Sequence, residues 1–122
     1  MDIYRELILD HYKNPHNFGH LSHQDSVIEE GNVTCGDRII MEINVNKKKE
    51  ITDIKFSGEG CAISQASASM LTDKVKGLNV EKILKLASSD IIDMLGTTLT
   101  PSRTKCATLP LEVLQKAILS LK

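Results

Sequence analysis

The hydrophobic period changes once along this chain, and the change divides it into a strand half and a helix half. From residue 38 to 46 apolar and polar residues alternate. Ile39, Met41, Ile43 and Val45 point one way, while Arg38, Glu42, Asn44 and Asn46 point mostly the other. Asn46-Lys47-Lys48-Lys49 reads as a solvated turn, after which Thr52, Ile54 and Phe56 share a face opposite Asp53, Lys55 and Ser57. An earlier strand starts near Ser26-Val27-Ile28. The short connections make the three strands an antiparallel meander. Gly58-Glu59-Gly60-Cys61 then breaks the alternation. Over residues 62–76, Ile63, Ala66, Met70 and Val75 recur at helical spacing, and Gly77 ends the helix. The Ala and Ser between them, Ser64, Ser67 and Ser69 included, allow close packing.

Further helices surround this unit. Residues 2–13 are expected to be helical, with Asp2 as cap and Ile3, Leu7 and Ile8 on one face, ending at Asn14-Pro15. Residues 14–24 are polar and read as loop. His16, His20 and His23 lie in it without ligand spacing and are expected, like His11, at the surface or in caps. Helical patterns recur at 80–87 and 89–95, with Gly96 as the stop. Residues 97–109 are expected to be a turn-rich connection. A last helix then runs from about Pro110 to Leu121, burying Val113, Leu114, Ala117, Ile118 and Leu121. Strands before helices define an α+β domain, a small antiparallel sheet covered by helices. The 122 residues are read as a single domain, 1–122, long enough to hold its own core.

Several functions are excluded on general grounds. A formal net charge of −1 and only two Tyr and two Phe offer neither a phosphate-binding surface nor base-stacking platforms, so no nucleic-acid partner is expected. No apolar run approaches the roughly 20 residues of a membrane span. The opening MDIYRELILD carries acids among its apolar residues and does not read as a signal peptide, so a cytoplasmic protein is expected. A disulfide framework is not expected there, and Cys35, Cys61 and Cys106 stand as free thiols, metal ligands or reactive sulfurs.

Each cysteine falls where an expected element begins or ends. Cys35 precedes the second strand in Thr34-Cys35-Gly36-Asp37, Cys61 joins the third strand to a helix, and Cys106 precedes the expected last helix. A meander with covering helices is able to bring three such junctions to one end. Thiolates suit soft metals, and Asp37 is the natural fourth ligand, on the same side as Cys35 if that segment is extended. Three sulfurs and one oxygen make a more exchangeable site than four sulfurs. Cys61 and Cys106, each expected at a helix N-terminus, gain thiolate character there, Cys106 with Arg103 and Lys105 beside it. Against this, a lone Cys is most often a small buried hydrophobe, and the gaps between these three match no zinc-finger spacing.

Four stretches resemble the NifU-like (IscU/SufU) iron–sulfur cluster assembly proteins: YRELILDHYKNPHN from Tyr4, TCGDR from Thr34, FSGEGCAISQASASMLTD from Phe56 and PSRTKCATLP from Pro101. The resemblance spans nearly the whole chain. It implies a small three-stranded antiparallel sheet flanked by about four to five helices, with a metal site at one exposed end. It also implies that Cys35, Asp37, Cys61 and Cys106 hold a [2Fe–2S] cluster or iron, or zinc at the same site. Sulfur would come from a PLP-dependent cysteine desulfurase of the IscS or SufS type, with Cys35 or Cys106 as acceptor, and the product would pass to recipient apoproteins or a carrier. Lys105 stands where IscU-type members carry a His, as in SufU-like members. The insertion that SufU members usually carry before the last Cys is absent, and Leu99-Thr100-Pro101-Ser102-Arg103 replaces the chaperone motif of IscU. Three functions follow in order: a scaffold that assembles and transfers a [2Fe–2S] cluster, a zinc-dependent sulfur acceptor, and a structural zinc-binding interaction domain.

Overall fold

A computed structural model describes residues 3–32, 36–96 and 99–121; Cys35 and Asp2 lie outside the described residues. The elements run α1 (Ile3–Lys13), β1 (Ser26–Asn32), β2 (Asp37–Val45), β3 (Ile51–Glu59), α2 (Ala62–Val75), α3 (Val80–Leu84), α4 (Ser88–Leu95) and α5 (Pro101–Leu119). The strands form one antiparallel sheet in the order β1-β2-β3. This is the expected α+β architecture of three strands and five helices.

Alternation drives the sheet's inner face. Ile39, Met41 and Ile43 of β2 and Ile54 and Phe56 of β3 are buried against Ala66, Leu71 and Val75 of α2 and Val113, Leu114 and Ala117 of α5. Thr52 departs from the expectation and is exposed, while Ile51 is buried. The register explains it: Asn44 pairs with Asp53 but Val45 with Ile51, so one extra residue bulges from β3 and the facing flips. The free edge of β3 is covered. Asn17 and Gly19 exchange backbone bonds with Phe56, both 2.9 Å, and the 77–78 segment does the same with Ile51, again both 2.9 Å.

On the other face of β2, Glu42 is buried at 2 % exposure, although it was expected on the polar side. The 20–24 loop folds over it. The Leu21 N–H donates to its carboxylate at 3.0 Å and the Gln24 amide at 2.7 Å, and His20 Nδ1 lies 2.7 Å away. Burial pushes the carboxyl up, but the bonds from Gln24, His20 and the Leu21 N–H outweigh it and hold Glu42 below the usual carboxylate range. Its stabilising contribution is therefore complete above the ordinary carboxylate pKa and disappears as pH falls through the lowered value. Glu42→Ala, which removes the acceptor of the Leu21 N–H and the Gln24 amide, is expected to cost about 1–2 kcal/mol near neutral pH. Urea melts at neutral pH and near pH 3 check this, and the gap between wild type and variant should narrow in acid.

The helical layer differs from expectation in two places. On α1 the buried residues are Ile8 and His11, with Tyr4 against Gly96, whereas Ile3 and Leu7 are 71 % and 40 % exposed. The packed stripe is thus 4-8-11, and His11 is a buried residue of the interface. Its Nδ1 lies 2.7 Å from Ser69 Oγ, which also accepts the His16 N–H at 2.8 Å. The second difference is α5, which starts at Pro101 and not near Pro110. Thr100 is its N-cap, Pro101 occupies the first turn, and Pro110 lies inside the helix. The stripe Val113, Leu114, Ala117 and Ile118 is buried as expected.

Candidate metal centre

The sheet carries two functional groups to one end. Arg38 pairs with Glu59, so the start of β2 and the end of β3 lie side by side. Asp37 is the first residue of β2, and Cys61 follows β3 as the N-cap of α2. The third group arrives from α5. Cys106 sits in that helix's second turn, fully buried, where the Ser67 hydroxyl of α2 donates to the Ala107 carbonyl at 2.6 Å. The expectation that Cys106 precedes its helix is thereby corrected. It lies one turn past the N-terminal N–H groups, so the helix-end argument does not apply to it.

Asp37, Cys61 and Cys106 each offer a ligand atom, and these atoms lie within 4.8 Å of one another. Asp37 is buried at 3 % exposure, and a buried carboxylate needs partners. Its Oδ1 accepts the Cys61 N–H at 2.8 Å, and Oδ2 lies 3.9 Å from Cys61 Sγ. The negative charge thus sits at the positive end of α2, where the helix dipole favours it. Cys61 is half-buried and makes no side-chain capping bond, so the cluster of groups opens to solvent through its sulfur.

Two glycines make this approach feasible. At Gly60, a Cβ would run into the Asp37 carboxylate and come within 2.6 Å of Ser64 Oγ. A side chain there would displace the carboxylate of the cluster. Gly36 works differently from the sequence expectation. Nothing lies within 4 Å of its open side, but its φ of +70° turns the chain into β2. The segment is therefore not extended at Gly36, and the same-side argument for Cys35 and Asp37 does not apply. Nothing in the spacing of the sequence signalled Gly60's steric role.

The donor set fits a soft metal or iron. The ligand atoms of a four-coordinate zinc sit roughly 3.5 Å apart, a spacing this set approaches; Cys106 is disulfide-bonded in the structure, contrary to the sequence expectation, and would bind as a thiolate once reduced. Thiolates with one carboxylate also suit iron bound to sulfide. Outside the site, the His residues serve local structure: His16 bonds Asp73, His20 bonds Glu42 and His23 Nε2 lies 3.3 Å from Asp25. Among the described residues, no helix is long and apolar enough to cross a membrane.

The sequence and the fold both have close counterparts. The model of the NifU-like N terminal domain matches residues 3–122. The zinc-dependent sulfurtransferase SufU of Bacillus subtilis is 38 % identical, the match covering 95 % of this chain and 89 % of that protein. The iron–sulfur cluster assembly scaffold protein IscU of Aquifex aeolicus is 40 % identical over 94 % of this chain and 73 % of its own length. A crystal structure of an iron–sulfur cluster assembly scaffold protein for the SUF system, from Fervidobacterium islandicum, superimposes with a TM-score of 0.82. It is 29 % identical, and the match covers 93 % of this chain and 94 % of that one.

Proposed function

This chain belongs to the NifU-like N-terminal domain family, and on that premise we propose that it is an iron–sulfur cluster assembly scaffold. In this reading it accepts sulfur from a PLP-dependent cysteine desulfurase, builds a [2Fe–2S] cluster as cargo and passes it to recipient proteins. The observation that carries the reading is the convergence of Asp37, Cys61 and Cys106 within 4.8 Å from three separate elements. Cys35, on the connection between β1 and β2, completes the set of four. The IscU relative supports the scaffold role.

Sulfur transfer needs no oxidant. A thiolate of this chain attacks the outer sulfur of the desulfurase's persulfide. The S–S bond to the desulfurase breaks, its cysteine leaves as thiolate, and the attacking residue becomes the persulfide. Cys35 is taken as the first acceptor. Cys106, at 0 % exposure, would need α5 or its cover to move before a partner's cysteine reached it.

A second reading rests on Lys105 and on the SufU relative: zinc held by the same four residues, with the chain acting as sulfur acceptor only. Anaerobic incubation with Fe(II), cysteine and a catalytic amount of desulfurase separates the two. The scaffold reading expects equal iron and acid-labile sulfide and a [2Fe–2S] visible spectrum, lost in Cys61→Ser. Retained zinc, no cluster and faster desulfurase turnover would overturn it in favour of the sulfurtransferase. No labile sulfide and no stimulation would sink both.

A further inference from the structure

One buried polar group in the first turn of α2 is left over by the fold. Gln65 is 8 % exposed, and its Nε2 is fully shielded and meets no hydrogen-bond acceptor. Such an orphan donor is unfavourable in a folded protein and calls for an explanation. Gln65 stands four residues after Cys61, and its own N–H donates to the Cys61 carbonyl at 3.1 Å. On an α-helix a long side chain lies over the turn N-terminal to its own Cα. For Gln65 that is the turn opened by Cys61, beside Asp37. The neighbouring polar groups are already engaged: the Ser64 hydroxyl donates to the Cys61 carbonyl at 3.1 Å, and Asp37 Oδ1 takes the Cys61 N–H. Of the acceptors at that turn, the Cys61 sulfur holds none of these short bonds; its contact is the 3.9 Å approach to Asp37 Oδ2.

We propose that the Gln65 carboxamide donates a hydrogen bond to the Cys61 thiolate when the site holds metal, making Gln65 a positioning residue of the centre. This rests on the reading that Cys61 is a ligand. A metal-bound thiolate is anionic and accepts N–H donors, and such outer contacts orient the ligand and tune the metal it holds. Cys61 Sγ lies 3.9 Å from Asp37 Oδ2, and the Gln65 amide nitrogen makes no bond of its own.

Gln65→Met keeps the length and volume of the side chain and removes the donor. In the purified full chain, zinc affinity by chelator competition is expected to fall roughly tenfold, as for other lost outer contacts of metal ligands. The thermal midpoint of the metal-free variant should stay level or rise, because an orphan donor has gone. In the Co(II)-substituted protein, the sulfur-to-metal charge-transfer band should move to lower energy, since a thiolate without its N–H donor is more electron-rich. Zinc affinity within twofold of wild type, or an unmoved Co(II) band, overturns the proposal. So does a metal-free variant destabilised in proportion to its affinity loss, which would make Gln65 a packing residue. Cys61→Ser in the same titration keeps the two readings apart. If it binds zinc as wild type does, the failure belongs to the ligand assignment and not to Gln65.

Discussion

Gly58→Ala is expected to destabilise the protein by about 3 kcal/mol or more, a large fraction of the total stability of a single domain. Gly58 lies in β3 at φ +112°, opposite Ile39 in the ladder. A Cβ there would drive into the Arg38 carbonyl oxygen, with the carbonyl carbon at 2.9 Å and Ile39 Cα at 3.3 Å. All three are backbone atoms, so no side-chain rotation relieves the collision; β2 and β3 must move apart. The backbone conformation adds its own strain of about 1–3 kcal/mol. Urea denaturation should show a lower midpoint at unchanged slope. Gly77→Ala supplies the control. Gly77 has φ +81° and nothing within 4 Å of its open side, so only the conformational strain applies. A Gly58→Ala protein no less stable than Gly77→Ala would show that β2 and β3 absorb the methyl, and the steric account would be wrong. Because Ile39 is two residues from Asp37, the variant should also lose metal affinity.

What was legible in the sequence depended on whether a residue's neighbours along the chain set its environment. Alternation in β2 placed Ile39, Met41 and Ile43 in the core, and the helical spacing after Cys61 placed Ala66 and Val75 there, with Val45, Ile63 and Met70 only partly buried at its margin. The stop signals at Gly77 and Gly96 held for the same local reason: both adopt the positive φ that glycine permits. Three departures have causes that local pattern does not contain. Thr52 is exposed because it is itself the extra residue bulged from β3 between the Asn44–Asp53 and Val45–Ile51 pairs. Glu42 is buried because a loop some twenty residues earlier in the chain folds across it. On α1, a tyrosine and a histidine take the packing positions that Ile3 and Leu7 were expected to hold.

The start of α5 is different, since its signal was present. Thr100-Pro101 is the cap-and-first-turn pattern of a helix, but Pro110 offers the same first-turn chemistry nine residues later, so the local signal is ambiguous. Moving the helix start back by about nine residues changes the site. Cys106 becomes a buried helical residue beside the Ser67 contact and not a loop residue. Of the three cysteine junctions expected at one end, those of Cys61 and Cys106 meet there beside Asp37, and the Asp37–Cys61 half follows physically from antiparallel order. β2 begins where β3 ends, so Asp37 and Cys61 must share an edge of the domain.

That shared edge gives Asp37→Ala its expected effect. The substitution removes the one oxygen donor from the described ligand groups and the acceptor of the Cys61 N–H. Losing that hydrogen bond costs about 1 kcal/mol, and part is returned because a buried carboxylate no longer has to be desolvated. The variant should therefore fold, with a far-ultraviolet dichroism spectrum like that of wild type. Its cargo chemistry should change far more. A carboxylate binds iron less softly than thiolate and yields more readily to an incoming protein ligand. With Asp37 gone, an assembled [2Fe–2S] cluster is expected to persist longer and to pass to a recipient apo-ferredoxin at least about tenfold more slowly, roughly 1.4 kcal/mol in the barrier. Transfer is followed by the appearance of the ferredoxin spectrum after mixing. A folded Asp37→Ala protein that transfers at the wild-type rate would remove the carboxylate from the release step. A protein that fails to fold without Asp37 would point instead to a site whose metal holds the structure together.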